Sequence, residues 1–170
     1  LAALDSRSNF GAMAASREML FAGLTEAPLV LAIASATLLG SALAQIFAVA
    51  AILLVLLSEI ARVPVDNQET HYELTMIHEG LVLEYSGWHL CLLNAASYVR
   101  EAALLVLAAA LMPMSGYAFA GWLMLFVVMI PAIERRFAKL RLFEVPQLFG
   151  TATLLAAASI GVRMLGIGAW

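Results

Sequence analysis

The sequence predicts an all-α fold, a polytopic bundle of about five transmembrane helices, and three observations predict it. Hydrophobic residues make up 64% of the chain and charged residues only 12%, where a water-soluble domain carries about 45–50% and about 25%. With a mean hydropathy of +0.95, too little polar surface remains to cover a soluble globule, so lipid is the fitting solvent. Five apolar stretches also come close to or exceed the roughly 20 residues that a spanning helix needs. Finally, the charges gather in a few connections instead of being spread along the chain.

The first helix is expected from Gly11 to Leu39. Ala32, Ala36 and Gly40 recur every four residues on one side of it. Such a row of small side chains lets helices approach closely in lipid, although alanine is common throughout this chain. The second helix runs from Ala42 to Ala61 and the third from Trp88 to Met112. The fourth covers Tyr117–Ile133, and the fifth runs from Pro146 to about Gly168. A start at Leu1, within a polar stretch, gives the expectation that the sequence is the C-terminal piece of a longer subunit.

The connections set the expected orientation. The turns at Gly40-Ser41 and Pro113–Gly116 carry no charge. Arg7 and Arg17 precede or open helix one, and Arg135, Arg136, Lys139 and Arg141 follow helix four. Alternating helices put both basic regions on one side, which the positive-inside rule assigns to the cytoplasm. The long segment 62–87 then faces the cytoplasm and the C-terminus the outside. Arg163, near the outer end, is left to snorkel or to pair within the bundle.

Ionisable groups within the hydrocarbon cost at least about 2.5–3.5 kcal/mol and need a reason to be there. Glu26 lies in an apolar run just before Pro28. Proline frees a backbone carbonyl and tends to kink a helix. A buried carboxylate at that point suits a proton relay, the alternative being a structural pair with an arginine elsewhere. Arg100 and Glu101 fall in the middle of helix three, and adjacent residues point about 100° apart. They are therefore expected to face a polar channel or a partner helix, as well as each other. Glu59 at the end of helix two, and Arg17 with Glu18, read as interfacial charges.

The densest polar run joins helices two and three. It holds Glu59, Asp66, Glu69, Glu73, Glu79 and Glu84 against Arg62, with His71 and His78 among them. Crowded carboxylates can hold and pass protons. Metal binding is not expected: the histidines are seven residues apart, and His78-Glu79 lacks the second histidine of a His-Glu-x-x-His zinc site. The interleaved Leu74, Met76, Ile77, Leu81, Val82 and Leu83 suggest a short amphipathic helix at the interface or under a partner. One cysteine, Cys91, excludes an internal disulfide and multi-cysteine metal sites. The net charge of −3 argues against nucleic acid.

This loop carries a family resemblance. Glu59-x-x-Arg62-x-Pro64-x-Asp66, then Glu69, Glu73-Leu74 and Glu84-Tyr85-Ser86-Gly87, resembles the signature of subunit 1 of complex I, the NADH:quinone oxidoreductase. The fuller wording, Pro64-Val65-Asp66-Asn67 through Glu69-Thr70-His71 to Glu73-Leu74-Thr75-Met76-Ile77-His78-Glu79, is closer to a sister branch. That branch is the membrane subunit of formate hydrogenlyase, hydrogenase-4 and related energy-converting nickel–iron hydrogenases. Phe10-Gly11, Ala15–Met19 and Glu26-Ala27-Pro28 look like the hydrogenase type, with Arg17 and Glu26 where complex I subunit 1 keeps an arginine and a transmembrane glutamate.

The resemblance covers nearly the whole chain and implies a role. Family members have about eight spanning helices, of which these would be the C-terminal five. The subunit would be non-catalytic: an ion-translocating anchor in a prokaryotic cytoplasmic (inner) membrane. Its relay would draw on Glu26, Glu59, Asp66, Glu69, Glu73, Glu84 and Glu101, with Arg17, Arg62 and Arg100 as charge partners. Pro64, His71, His78 and Glu79 would form a docking or quinone loop. The implied partners are hydrogenase large and small subunits and antiporter-like membrane subunits. The nickel–iron site and the iron–sulfur clusters would sit in those partners, and no cofactor in this chain. Two departures weigh against a quinone site: His71 stands where many complex I proteins are acidic, and the stretch from Glu73 to Glu84 is longer here. Arg100-Glu101 has no counterpart carried over from complex I. An independent secondary transporter is the third reading; it would usually show internal repeats, and none is visible.

Overall fold

The computed structural model of the chain describes residues 8–37, 42–60, 81–82, 84–112, 117–136 and 144–165. They form five helices: α1 (Asn9–Thr37), α2 (Ala42–Glu59), α3 (Gly87–Ala110), α4 (Tyr117–Glu134) and α5 (Val145–Met164). All five are long and apolar enough to cross a membrane, and no strand occurs among the described residues. The fold is the all-helical bundle expected. α1 begins two residues before Gly11, and α4 ends one residue after Ile133. The last residues expected of the fifth helix, 166–168, lie outside the described part.

A three-helix packing of α1, α2 and α5 forms the centre, and its cause is visible in the spacing. The fully buried positions of α5 are Val145, Phe149, Ala152, Ala156 and Ser159, which alternate steps of four and three. Along α2 the same alternation picks out Ala44, Ala48, Ala51, Val55 and Ser58. On α1 it runs through Phe21, Thr25, Pro28, Ala32 and Ser35. A step averaging 3.5 residues keeps one seam of a helix facing its neighbours over several turns. Small residues dominate the seams, so backbones come close and dispersion contacts accumulate where lipid supplies no hydrophobic drive.

The buried hydroxyls do not oppose this packing, because each returns its proton to its own helix. Ser35 Oγ donates to the Ala32 carbonyl at 2.7 Å, Ser58 Oγ to Val55 at 2.6 Å and Ser159 Oγ to Ala156 at 2.7 Å. Thr25 Oγ1 does the same to Ala22 at 3.0 Å. No polar group on those side chains is left bare in a dry interior. α1 stays helical through Pro28. Of the small row expected on this helix, Ala32 is fully buried; the Ala36 side chain and Gly40 lie outside what is described.

α3 and α4 are added at the side. α3 lies against α2 through Leu104, Ala108 and Ala109, and α4 follows through Phe126 and Ile130. Large apolar side chains such as Met124, Val128 and Leu154 point away from the bundle, which suits a lipid surroundings and not water. Shared clusters give the directions. Phe21 of α1 meets Val145 and Phe149 of α5 at one end, with the Phe21 and Phe149 rings 6.0 Å apart. Leu56 and Ile60 meet Leu104 and Ile130 at the same end. This loop end is where α2 leads into the segment 61–80.

Gly87 opens α3 with φ +59. An L side chain pays about 1–2 kcal/mol in that left-handed region, whereas glycine enters it freely. A Cβ there would meet nothing within 4 Å, so the cost of Gly87→Ala is conformational alone. We expect this substitution to raise amide hydrogen exchange about tenfold over the first turn of α3, matching about 1.4 kcal/mol of local opening. Exchange in α2 should not change.

Candidate functional site

Charged residues of three helices, Glu18 of α1, Glu59 of α2 and Arg100 with Glu101 of α3, lie toward the loop end. α2 finishes there with Glu59, whose side chain is mostly buried at 16% exposure. Arg100 of α3 reaches across and donates from Nη1 to Glu59 Oε2 at 2.6 Å. A charge-assisted contact of this length is strong by protein standards. Glu18 of α1 and Glu101 of α3 also attract the Arg100 guanidinium electrostatically. One cation thus stands among three carboxylates contributed by three helices.

Glu18 reaches this place through the α1 seam. Buried Ala14 and Phe21 flank it at steps of four and three, so Glu18 occupies a seam position and looks inward, half-buried. From the sequence alone Glu18 reads as an interfacial charge. The 4-3 spacing from Ala14 through Glu18 to Phe21 was the signal that could have placed it.

Arg100 and Glu101 are central in the count of α3 residues but not in the bundle. Arg100 is paired with the last residue of α2. The thirteen residues Gly87–Val99 therefore extend beyond that level, by about 20 Å at 1.5 Å per residue. Every buried residue of α3 lies after Arg100. The expectation that Arg100 faces a partner helix is met by α2. Its setting is the end of the bundle, where a charge is far less costly than at the centre.

Glu26 differs from expectation. It was anticipated as a buried carboxylate, but the structure turns it outward, exposed on the surface of α1. The physical reason is the seam: Thr25 and Pro28 occupy the inward positions, and Glu26 is about 100° of helix away from Thr25. Glu84 lies exposed in the turn before α3. Arg17 is half-buried and, like Glu101, Glu134 and Glu144, is engaged in an interaction of its own. Arg163, at the other end, has a buried Nε without a hydrogen-bond partner. Arg62, Pro64, Asp66, Glu69, His71, Glu73, His78 and Glu79 lie outside the described residues.

Such a cluster can do limited chemistry. It has no nucleophile–base pair, but it sets one guanidinium among carboxylates from three helices at one end of the bundle. Residues 1–165 match the model of the family described as NADH dehydrogenase. The chain belongs to that family. It is an integral membrane protein, a membrane subunit of a complex I-like respiratory complex, and so a member of a multisubunit oxidoreductase assembly. No curated protein and no solved structure matches it.

Proposed function

We propose that this chain is the membrane-anchoring, ion-translocating subunit of a hydrogenase or formate hydrogenlyase-type complex. It would couple redox chemistry in a cytoplasmic arm to proton or sodium movement. The observation that carries the coupling role is the Glu59–Arg100 pair with Glu18 and Glu101 beside it. This site lies where α2 leaves the bundle for the acidic loop. A carboxylate passed from one cation or proton to another at such a place can link events in the loop to events between helices. The hydrogenase-like wording of residues 64–79 supports the branch.

In this reading the loop end is cytoplasmic, and the membrane is the prokaryotic inner membrane. The basic residues Arg17, Arg135 and Arg136 near that end support the assignment. The five helices are the C-terminal part of a bundle of about eight. The loop docks the hydrogenase large and small subunits, which hold the nickel–iron site and iron–sulfur clusters, and antiporter-like subunits lie alongside. A second reading is complex I subunit 1, lining a quinone site with Pro64, His71, His78 and Glu79. The description of the matching family favours it.

Purification of the intact complex separates the two. Nickel and hydrogen evolution in the purified assembly support the hydrogenase reading; NADH oxidation with bound quinone would reverse it. For the coupling role, Glu26→Gln and Glu73→Gln are each expected to assemble normally yet lower coupled ion movement in reconstituted vesicles by about tenfold, or about 1.4 kcal/mol. Normal pumping by both variants would remove the relay.

A further inference from the structure

Among the described residues, Arg163 is the one charge at the end of the bundle opposite the loop end. α5 is 20 residues long, or about 30 Å at 1.5 Å per residue, which is the thickness of the hydrocarbon core of a bilayer. Val145 stands at the loop end, so Arg163 stands at the opposite boundary, at headgroup level. The sequence supplies no acidic side chain there. Segments 27–58 and 102–133 hold no charge at all, and 145–170 holds Arg163 alone. Glu26 comes nearest. Ala32 and Ala156 share a cluster; Glu26 is six residues before the first and Arg163 seven after the second, so the two lie about 20 Å apart along the bundle. Their side chains do not bridge that distance.

Packing holds Arg163 in place without giving it a counter-ion. The inward positions of α5 run from Val145 to Ser159 in steps of four and three, and the next step of four reaches Arg163. Its stem follows the seam, half-buried, and Nε is fully buried with no hydrogen-bond partner among the described residues. α1 and α5 run in the same direction, so both present their carbonyl ends here, which favours a cation by about 0.3–1 kcal/mol. Those partial charges account for a basic residue at this place but do not neutralise it. A guanidinium partly withdrawn from water calls for a full negative charge beside it. The outer surface of α5 below it is apolar and open: Ala157 and Ala158 are exposed, Leu154 is 71% exposed, and a Cβ on Gly161 would meet nothing within 4 Å.

We propose that Arg163 binds the phosphodiester of an anionic phospholipid in the leaflet at this end. The planar guanidinium offers paired N–H donors that match phosphate oxygens, and an acyl chain lies along Gly161, Ala158 and Leu154. Charge complementarity selects the occupant. A zwitterionic headgroup brings its own cation to the arginine and leaves the site with a net positive charge. Free inorganic phosphate supplies the same oxygens but no tail for the apolar surface beneath. The inference needs only that the chain spans a membrane. It does not rest on hydrogenase chemistry or on ion movement, so it survives if the coupling role fails.

The test uses the intact complex, reconstituted in phosphatidylcholine vesicles with a minor fraction of phosphatidylglycerol that carries a photoreactive diazirine near the glycerol. After irradiation, adducts are mapped by mass spectrometry. Segment 157–165 should be labelled well above the surroundings of Val128, an outward residue of α4 that is 68% exposed. Photoreactive phosphatidylcholine should show no such preference. Arg163→Gln should lower the labelling by phosphatidylglycerol at least about tenfold, as loss of a charge-assisted contact implies. Unlabelled phosphatidylglycerol should displace the probe, and excess inorganic phosphate should not. Comparing the two lipids on the unaltered complex needs no variant, so the test remains decisive if Arg163→Gln fails to assemble. Equal labelling by the two lipids, or labelling that survives Arg163→Gln, overturns the proposal. So does displacement by inorganic phosphate, which would make the ligand a free ion. Absence of labelling at 157–165 overturns it as well, and would point to a carboxylate on another subunit.

Discussion

Replacing Arg100 by Ala is expected to reduce coupled ion movement by at least about tenfold, equivalent to about 1.4 kcal/mol. The complex should still assemble. Arg100 is the cation to which Glu59 bonds at 2.6 Å and toward which Glu18 and Glu101 are attracted. Its removal leaves three carboxylates sharing a partly dehydrated boundary, and like charges there no longer hold the ionisation states that a relay needs. The stability effect should be smaller, about 1 kcal/mol, because the guanidinium is 56% exposed and exposed pairs contribute little. Glu59→Gln should act in the same direction. In a double-mutant cycle the two substitutions should be clearly non-additive, since each removes the same contact. Arg100→Lys tests position against charge: one ammonium cannot reproduce the planar guanidinium among carboxylates from three helices, so recovery should be partial. Normal ion movement in Arg100→Ala vesicles would exclude the cluster from the path.

The largest stability effect is expected from overfilling the central seam. Ala156 is fully buried in a cluster with Ala32 of α1 and Ala48 of α2. Ala156→Leu inserts three carbons where backbones already approach closely, and about 3 kcal/mol of destabilisation follows from overpacking. At about 2–4 °C per kcal/mol for a domain of this size, thermal unfolding in detergent should begin roughly 6–12 °C lower. Leu154→Ala, two residues away but 71% exposed, should stay within about 0.5 kcal/mol of the parent. If both variants unfold alike, the α1–α2–α5 seam does not hold the bundle together.

The helices were legible because a spanning segment announces itself by length and apolarity alone. Alternating direction follows from short uncharged turns and the placement of arginines, and the clusters at the two levels of the bundle agree with it. The family was legible in the loop between Glu59 and Gly87, where residue types and spacings depart furthest from what lipid demands. The partner of Arg100 was not legible. Glu59 is 41 residues away, across a loop whose length says nothing about how far one helix slides along another. The inward place of Glu18 could have been found from the 4-3 spacing, but in so apolar a chain many stripes compete.

Glu26 shows the boundary most clearly. Sequence alone established that a carboxylate stands within an apolar helix just before a proline, and that such a residue needs a polar partner. Its direction came from packing: Thr25 and Pro28 fill the seam, and Glu26 is turned out. The same holds for α3. Its length and apolar character are written in residues 87–110, but its offset of half a helix relative to α2 comes from the contacts of Leu104, Ala108 and Arg100. Local composition sets what each helix is, because every residue there has to satisfy lipid. Which faces meet, and at what height, depends on close fit between side chains distant in sequence, and hydrophobicity does not encode that fit.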